Sequence, residues 1–324
     1  MIKPKLQAIF SPEQYHGWGK SRRYFEGWYY KVINADESKA LAIIPGIAMD
    51  EKGAKQSFIQ VLDGKNKTAE YLRFEADDFI PAPGKFEIQI ANNYFSMDQI
   101  KLDLNGLRGS LNFTGRVPWP TSWKSPGIMG PYSFVPFMEC YHGILSMDHE
   151  VSGVLNYKGN SIIFDGGRGY MEKDWGKSFP SAYTWMQTNH FSKPGISFKV
   201  SVAKIPWLGS SFVGFIAGLW TGGRLFQFTT YNSTKLTKCL IDNNKVVIDM
   251  ENRNHVLRVF ARREEATELA SPIMGLMDGK IEESMNSEIR IQLFDKKNNI
   301  IIFDDTGKNA ALEVAGKIEE ILMP

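Results

Sequence analysis

VSGVLNYKGNSIIFD, residues Val151–Asp165, decides the fold class of this chain. Apolar and small polar residues alternate through Val151–Tyr157, Lys158-Gly159-Asn160 breaks the run, and Ser161–Asp165 resumes it, which is the pattern of two strands joined by a tight hairpin turn. Outward from this hairpin the pattern recurs in both directions. Ala40–Ala48, Gln56–Leu62, Phe86–Ile90, Ile100–Leu104 and Gly109–Phe113 read as strands, with turns at Asp63-Gly64 and Asn105-Gly106. Ile196–Ile205, Ser211–Thr221, Leu225–Tyr231, Lys235–Ile241, Lys245–Met250, His255–Arg263, Ser287–Phe294 and Ile300–Asp304 form a second such series. The expectation is an all-β protein of two antiparallel β-domains, residues 1–178 and 179–324. A C-terminal helix is predicted from Asp305 or Thr306 onward, because Ala311, Leu312, Ala315, Ile318 and Leu322 recur at helical spacing. Glu264–Glu283, with Pro272, Gly275 and Gly279, reads as a long ordered loop.

Composition narrows the function classes. Lys and Arg number 38 against 36 Asp and Glu, and no run of five like charges occurs, so nucleic acid has no electrostatic footprint here. The two cysteines, Cys140 and Cys239, make neither a disulfide framework nor a zinc knuckle, and with no signal-peptide pattern at the N-terminus they point to the cytoplasm. Ile205–Trp220 is apolar but shorter than a bilayer span of about 20 residues. It reads as a buried strand pair, with peripheral membrane contact as the alternative. There is no G-x-S-x-G elbow, no P-loop and no dinucleotide fingerprint.

Two segments interleave acids and histidines with rings: PYSFVPFMECYHGILSMDH at Pro131–His149 and GYMEKDWGKSFPSAYTWMQTNHF at Gly169–Phe191. Acids among aromatics suggest a pocket, and burial disfavours the charged carboxylate, which suits a proton donor acting on a lipophilic, electron-rich molecule.

Tyr15–Lys31 (YHGWGKSRRYFEGWYYK), Ser125–His149 (SPGIMGPYSFVPFMECYHGILSMDH) and Gly166–Phe191 (GGRGYMEKDWGKSFPSAYTWMQTNHF) resemble the tocopherol cyclases, and Glu268–Glu283 fits loosely. The resemblance implies two lipocalin-like β-domains with a ligand cavity between or within them, a fold shared with carotenoid hydratase-like proteins and some pericyclases. Its opening aromatic motif corresponds to Glu26–Tyr29, and its acid before a Trp-Gly pair to Asp174–Gly176. It further implies acid-promoted ring closure of a prenylated hydroquinone: an acid protonates the side-chain alkene and the phenol oxygen captures the tertiary cation. That chemistry calls for no cofactor and no metal. The substrate would be a lipophilic small molecule.

Strand alternation then sorts the candidate residues. Glu172 and Asp174 share one face with Lys173 opposite, and two close carboxylates tend to share a proton; the competing reading is an ion pair to Arg168. Glu139 and Tyr141 share one face, Cys140 and His142 the other. Glu139 is a proton donor or a carboxylate satisfied by Arg22 or Arg23. His142 is a proton relay or a structural histidine, while His149 reads as a solvated turn residue. Trp185, Gln187 and Asn189 align to grip a hydroquinone head group, with His190 beside them, or form a structural amide ladder. Glu26, Trp28 and Tyr30 also align, either as substrate contacts or as core packing around a satisfied carboxylate, and Trp175 joins Tyr141 among the aromatic contacts.

Overall fold

A computed structural model describes residues 9–323, almost entirely as antiparallel β-structure. The first sheet has twelve strands: β1 (Tyr24–Ile33), β2 (Ala40–Met49), β3 (Lys55–Asp63), β4 (Thr68–Glu75), β5 (Phe79–Pro81), β6 (Glu87–Ile90), β7 (Asn93–Ser96), β8 (Gln99–Leu104), β9 (Leu107–Thr114), β10 (Cys140–Tyr157), β11 (Asn160–Ile163) and β12 (Gly167–Gly176). Their order is β4-β3-β2-β1-β12-β10-β9-β8-β7-β6-β5, with β11 on β10. The second has ten: β13 (Ala182–Thr188), β14 (Ile196–Trp207), β15 (Ser210–Thr221), β16 (Leu225–Thr229), β17 (Lys235–Ile241), β18 (Lys245–Glu251), β19 (His255–Arg262), β20 (Thr267–Ile273), β21 (Leu276–Asp295) and β22 (Ile300–Gly316). It runs β16-β15-β14-β13-β22-β21-β19-β18-β17, with β20 on β21. In each sheet an early strand pairs with a late one, β1 with β12 and β13 with β22.

The chain divides into two compact units, residues 9–179 with Leu269–Lys280, and residues 180–268 with 281–323. In the first, the sheet rolls around its own core: Trp28 on β1 stacks at 5.4 Å on Phe86 beside β6, although five strands lie between β1 and β6 in the sheet order. Tyr30, Phe95, Phe113 and Leu111 fill the same interior. The tip of the β20–β21 hairpin lies on the other face of β2 and β3, where Ala270 and Met277 pack near Phe58 and the Ala270 N–H donates to Gln60 Oε1 at 2.9 Å. Gly46 is required there, since a Cβ at that position would sit 2.3 Å from the Phe58 ring. The second unit has its own core of Phe198, Val200, Phe228, Ile248, Val259 and Ile291, among others.

Two sequence expectations need correction. Residues 300–316 form strand β22, and only the short turn Ile318–Glu320 is helical. Positions 309–312 of β22 are buried on both faces, so the alternation that marks a half-buried strand is lost and the apolar run imitates a helix. Glu264–Glu283 is mostly β20 and β21, joined by a turn at Met274-Gly275 with φ of 49° and 90°. Ile205–Trp220 spans the β14–β15 hairpin, and among the described residues no helix is long and apolar enough to cross a membrane.

His149 is not a solvated turn residue: it is 1% exposed within β10, edge-on to Phe113 at 5.0 Å and 3.2 Å from Ser146 Oγ through Nδ1. Gly169 opposite makes room for it, since a Cβ there would lie 2.2 Å from His149 Nε2. Burial, helped by the Arg116 charge, pulls its pKa from 6.5 down to about 3. The unfolded chain therefore binds a proton that the folded chain refuses between those values, and stability falls as pH drops below 6.5 toward 3. In His149→Gln the slope of unfolding free energy against pH over that window should be shallower than in the parent. Equal slopes by chemical denaturation at stepped pH would refute this.

Candidate active site

β12 lies between β1 and β10, and its alternating side chains build two different environments. Glu26 faces Trp175, and Trp28 faces Lys173, across β1–β12; Tyr141 faces Trp175 across β10–β12. These residues share the interior face. Lys173 Nζ is 2.5 Å from Glu26 Oε1, both side chains are fully buried, and the ammonium lies 4.8 Å above the Trp28 ring and 4.6 Å from that of Trp175. Glu26 also accepts from Tyr24 Oη at 2.5 Å and from the His16 N–H at 2.8 Å and 3.1 Å. Lys173 further donates to the Gln14 carbonyl and contacts His16 Nδ1 at 2.7 Å. His16 stacks on Trp175 at 4.4 Å, and Tyr141 stacks on Trp175 at 5.5 Å. Burial alone would push the Glu26 carboxyl up, but Lys173 and His16 hold it below its ordinary value. Burial pulls the Lys173 ammonium down to about 8 against the attraction of Glu26, so the pair is charged at neutral pH.

The opposite face of the same strands carries the second environment. His142 lies opposite Asp174, and Ile144 and Tyr29 lie opposite Glu172. His142 Nδ1 is 2.8 Å from Asp174 Oδ1, and its Nε2 stands 3.6 Å from Glu172 Oε2, too far for a hydrogen bond. That Nε2 is buried without a hydrogen-bond partner among the described residues. Tyr170, two residues before Glu172 and fully buried, donates to Glu172 Oε2 at 2.5 Å. Burial and the neighbouring Glu172 push the Tyr170 phenol well above its ordinary pKa. The Cys140 thiol, 4.0 Å from Asp174, is raised by burial first and then by that acid. Ligand atoms of His142, Glu172 and Asp174 lie within 4.8 Å of one another, compact enough for a cation. Asp174 already orients His142, however, which leaves only two of the three to bind one.

The structure thus gathers Glu172, Asp174 and His142 on one face, and sets Glu26, Trp28, Tyr30, Tyr141 and Trp175 on the other, within or at the end of the packed interior. Glu139 precedes β10; burial raises its carboxyl and Lys177 draws it back. The ion-pair partners weighed in the sequence lie elsewhere: Arg23 pairs with Glu51 at 3.1 Å, and Arg168 Nε with Asp148 at 3.0 Å. In the second unit, Trp185, Gln187 and Asn189 are all buried, and Asn189 Oδ1 contacts His190 Nδ1 at 2.9 Å. Trp185 lies opposite Ser201 and Glu313, and Gln187 opposite Lys199, which is fully buried. Tyr183 Oη donates to Glu313 Oε2 at 2.8 Å on that face. Tyr170 and Lys199 were not anticipated. Period-two spacing from Glu172 marks Tyr170 in the sequence, whereas Lys199 is reached only through cross-strand register.

The fold matches kievitone hydratase from Nectria haematococca with a TM-score of 0.54 at 8% identity, covering 95% of this chain and 92% of that one. The two antiparallel sheets and this likeness define a lipocalin-like all-β protein. Residues 110–316 match the tocopherol cyclase-like family, and the chain belongs to that family. It is 24% identical to the probable chloroplastic tocopherol cyclase of Oryza sativa subsp. japonica, over 97% of this chain and 80% of that protein. It is 28% identical to the chloroplastic tocopherol cyclase of Zea mays, over 97% and 79% respectively.

Proposed function

We propose that this protein closes a chromanol-type ring on a prenylated hydroquinone or related terpenoid, with Glu172, His142 and Asp174 as its acid–base set. The observation that carries this reading is the 3.6 Å gap between His142 Nε2 and Glu172 Oε2, one nitrogen buried without a hydrogen bond beside one buried carboxyl. In this proposal Glu172 is the neutral acid before reaction, with its Oε2 accepting from Tyr170 Oη and facing His142 Nε2, and its proton on Oε1. Glu172 gives that proton to the alkene carbon, leaving a tertiary cation. The phenol oxygen attacks the cation, forming the C–O bond, and its proton passes to His142 Nε2, whose Nδ1 is steadied by Asp174. Return of that proton from His142 to the Glu172 carboxylate restores the acid, so atoms and electrons balance with no cofactor or redox step. Glu139 is the reserve donor; Asn189 and His190, with Trp185 and Gln187, are the proposed grip on the head group. The same proposal places the protein in the cytoplasm, in peripheral contact with a membrane from which its lipophilic substrate comes.

Incubation with a prenyl-hydroquinone in heavy water tests this. One deuterium on a product ring carbon, with no change in oxygen count, is expected. A ring closed without deuterium would mean a pericyclic template, and a tertiary alcohol would mean hydration, the reading that the kievitone hydratase fold favours as second choice. Stoichiometric binding with no product would mean a carrier.

A further inference from the structure

One end of the first unit's sheet carries a group of exposed rings. Tyr24 lies opposite Met49, and Phe25 and Cys140 both lie opposite Gly176, so the segments before Tyr24, after Met49, before Cys140 and after Gly176 emerge together. On these segments Trp18 is 54%, Phe134 41% and Phe137 49% exposed, and Phe10, 39% exposed, meets Phe134 at 6.0 Å. Single exposed apolar residues are ordinary, but several large rings at one end of a sheet mark a contact surface.

On these segments exposed cations outnumber exposed acids. Lys20, Arg22, Lys52 and Lys177 are exposed. Among the acids beside them only Glu51 is exposed, and it pairs with Arg23, while Glu13, Asp50 and Glu139 are half-buried. Rings interleaved with cations fit the headgroup layer of an anionic bilayer, where aromatic side chains and Lys or Arg settle together.

The surface adjoins the candidate site. His142 and Asp174 lie two residues in from Cys140 and Gly176, roughly 7 Å along the strands. The segment that carries Phe134 and Phe137 is tied to the site strand, since Tyr141 Oη donates to the Val135 carbonyl at 2.5 Å and the His142 N–H meets Met129 Sδ at 3.1 Å.

We propose that this end of the first unit, through Phe134, Phe137 and Trp18 with Lys20 and Arg22, docks on the surface of an anionic lipid bilayer. The inference rests on the proposed function for what is delivered there: a prenylated molecule resident in that bilayer reaches His142 and Glu172 without crossing water.

Sedimentation of the protein with vesicles of phosphatidylcholine, alone or mixed with phosphatidylglycerol, tests the docking with no substrate present. Tighter binding to the mixed vesicles is expected, weakened by salt. F134S/F137S should lower the partition coefficient roughly tenfold or more by removing two buried rings. K20E/R22E should abolish the preference for phosphatidylglycerol. Both variants should keep the parent's melting curve. Failure of the parent to sediment with either vesicle, or undiminished binding by F134S/F137S, overturns the proposal; so does a concentration-dependent dimer, seen by light scattering, that F134S/F137S dissolves. Because no turnover is measured, a negative result leaves ring closure standing, and the heavy-water experiment can fail without touching the docking.

Discussion

Glu172→Gln is expected to lower turnover by about a hundredfold to ten-thousandfold, the usual worth of a positioned general acid. The amide keeps the shape of the carboxyl and still accepts from Tyr170 Oη, which holds Glu172 at 2.5 Å, so folding and ligand affinity should change little. What disappears is the carboxyl proton, carried on the oxygen that Tyr170 leaves free. His142→Asn should fall in the same range by removing the acceptor for the phenol proton. Asp174→Asn leaves the ring in place but loses the charge that steadies its Nδ1 at 2.8 Å, and a smaller loss of turnover with a shifted pH profile is expected. Rates and ligand binding measured on the three variants decide it: if Glu172→Gln turns over at the parent's rate while folded, Glu172 is not the donor. Glu139→Gln separates the remaining candidate, since Glu139 lies outside the His142 cluster and its loss should be mild.

Much of this site was legible in the sequence, but only along single strands. Period-two alternation on β12 places Glu172 and Asp174 together with Lys173 opposite, and the register agrees. Alternation on β10 separates Glu139 from His142, yet nothing local says which face His142 shares with β12. That depends on the pairing His142↔Asp174, on a β-bulge beyond Ile144, and on β11 leaving β10 and β12 as neighbours. The hairpin Val151–Asp165 was readable because its turn is local: Lys158 and Gly159 take φ of 51° and 83°, as its Lys-Gly-Asn turn suggests. β22 was not readable, because burial on both faces removes the alternation on which strand reading depends. Glu26, Trp28 and Tyr30 do share a face, but the sequence does not say that Phe86, beside β6, and Phe95, on β7, fill the space before them.

The largest stability effect is expected at the buried pair on that interior face. Lys173→Met should destabilise the protein by about 3–5 kcal/mol, because it leaves the Glu26 carboxylate fully buried with no cation beside it. The remaining donors, Tyr24 Oη and the His16 N–H, satisfy its oxygens but do not neutralise its charge. The Glu26 carboxyl should then rise from its lowered position, since burial, which already pushes it up, is no longer opposed by Lys173. A depressed carboxyl gives stability above its unfolded value that is lost as pH falls, so the variant should lose that part of the acid limb as well as melting on the order of 10 °C lower. Glu26→Gln with Lys173→Met tests the cause. If the single change acts by stranding a charge, the double variant should recover most of the lost stability, since a methionine between Trp28 and Trp175 and a neutral amide among its donors bury no ion. If Lys173→Met melts within a degree or two of the parent, the pair is no keystone of the fold. If the double variant is as unstable as the single, the loss comes instead from the contacts of Lys173 with the rings and with Gln14, which tie residues 13–16 across the end of the sheet.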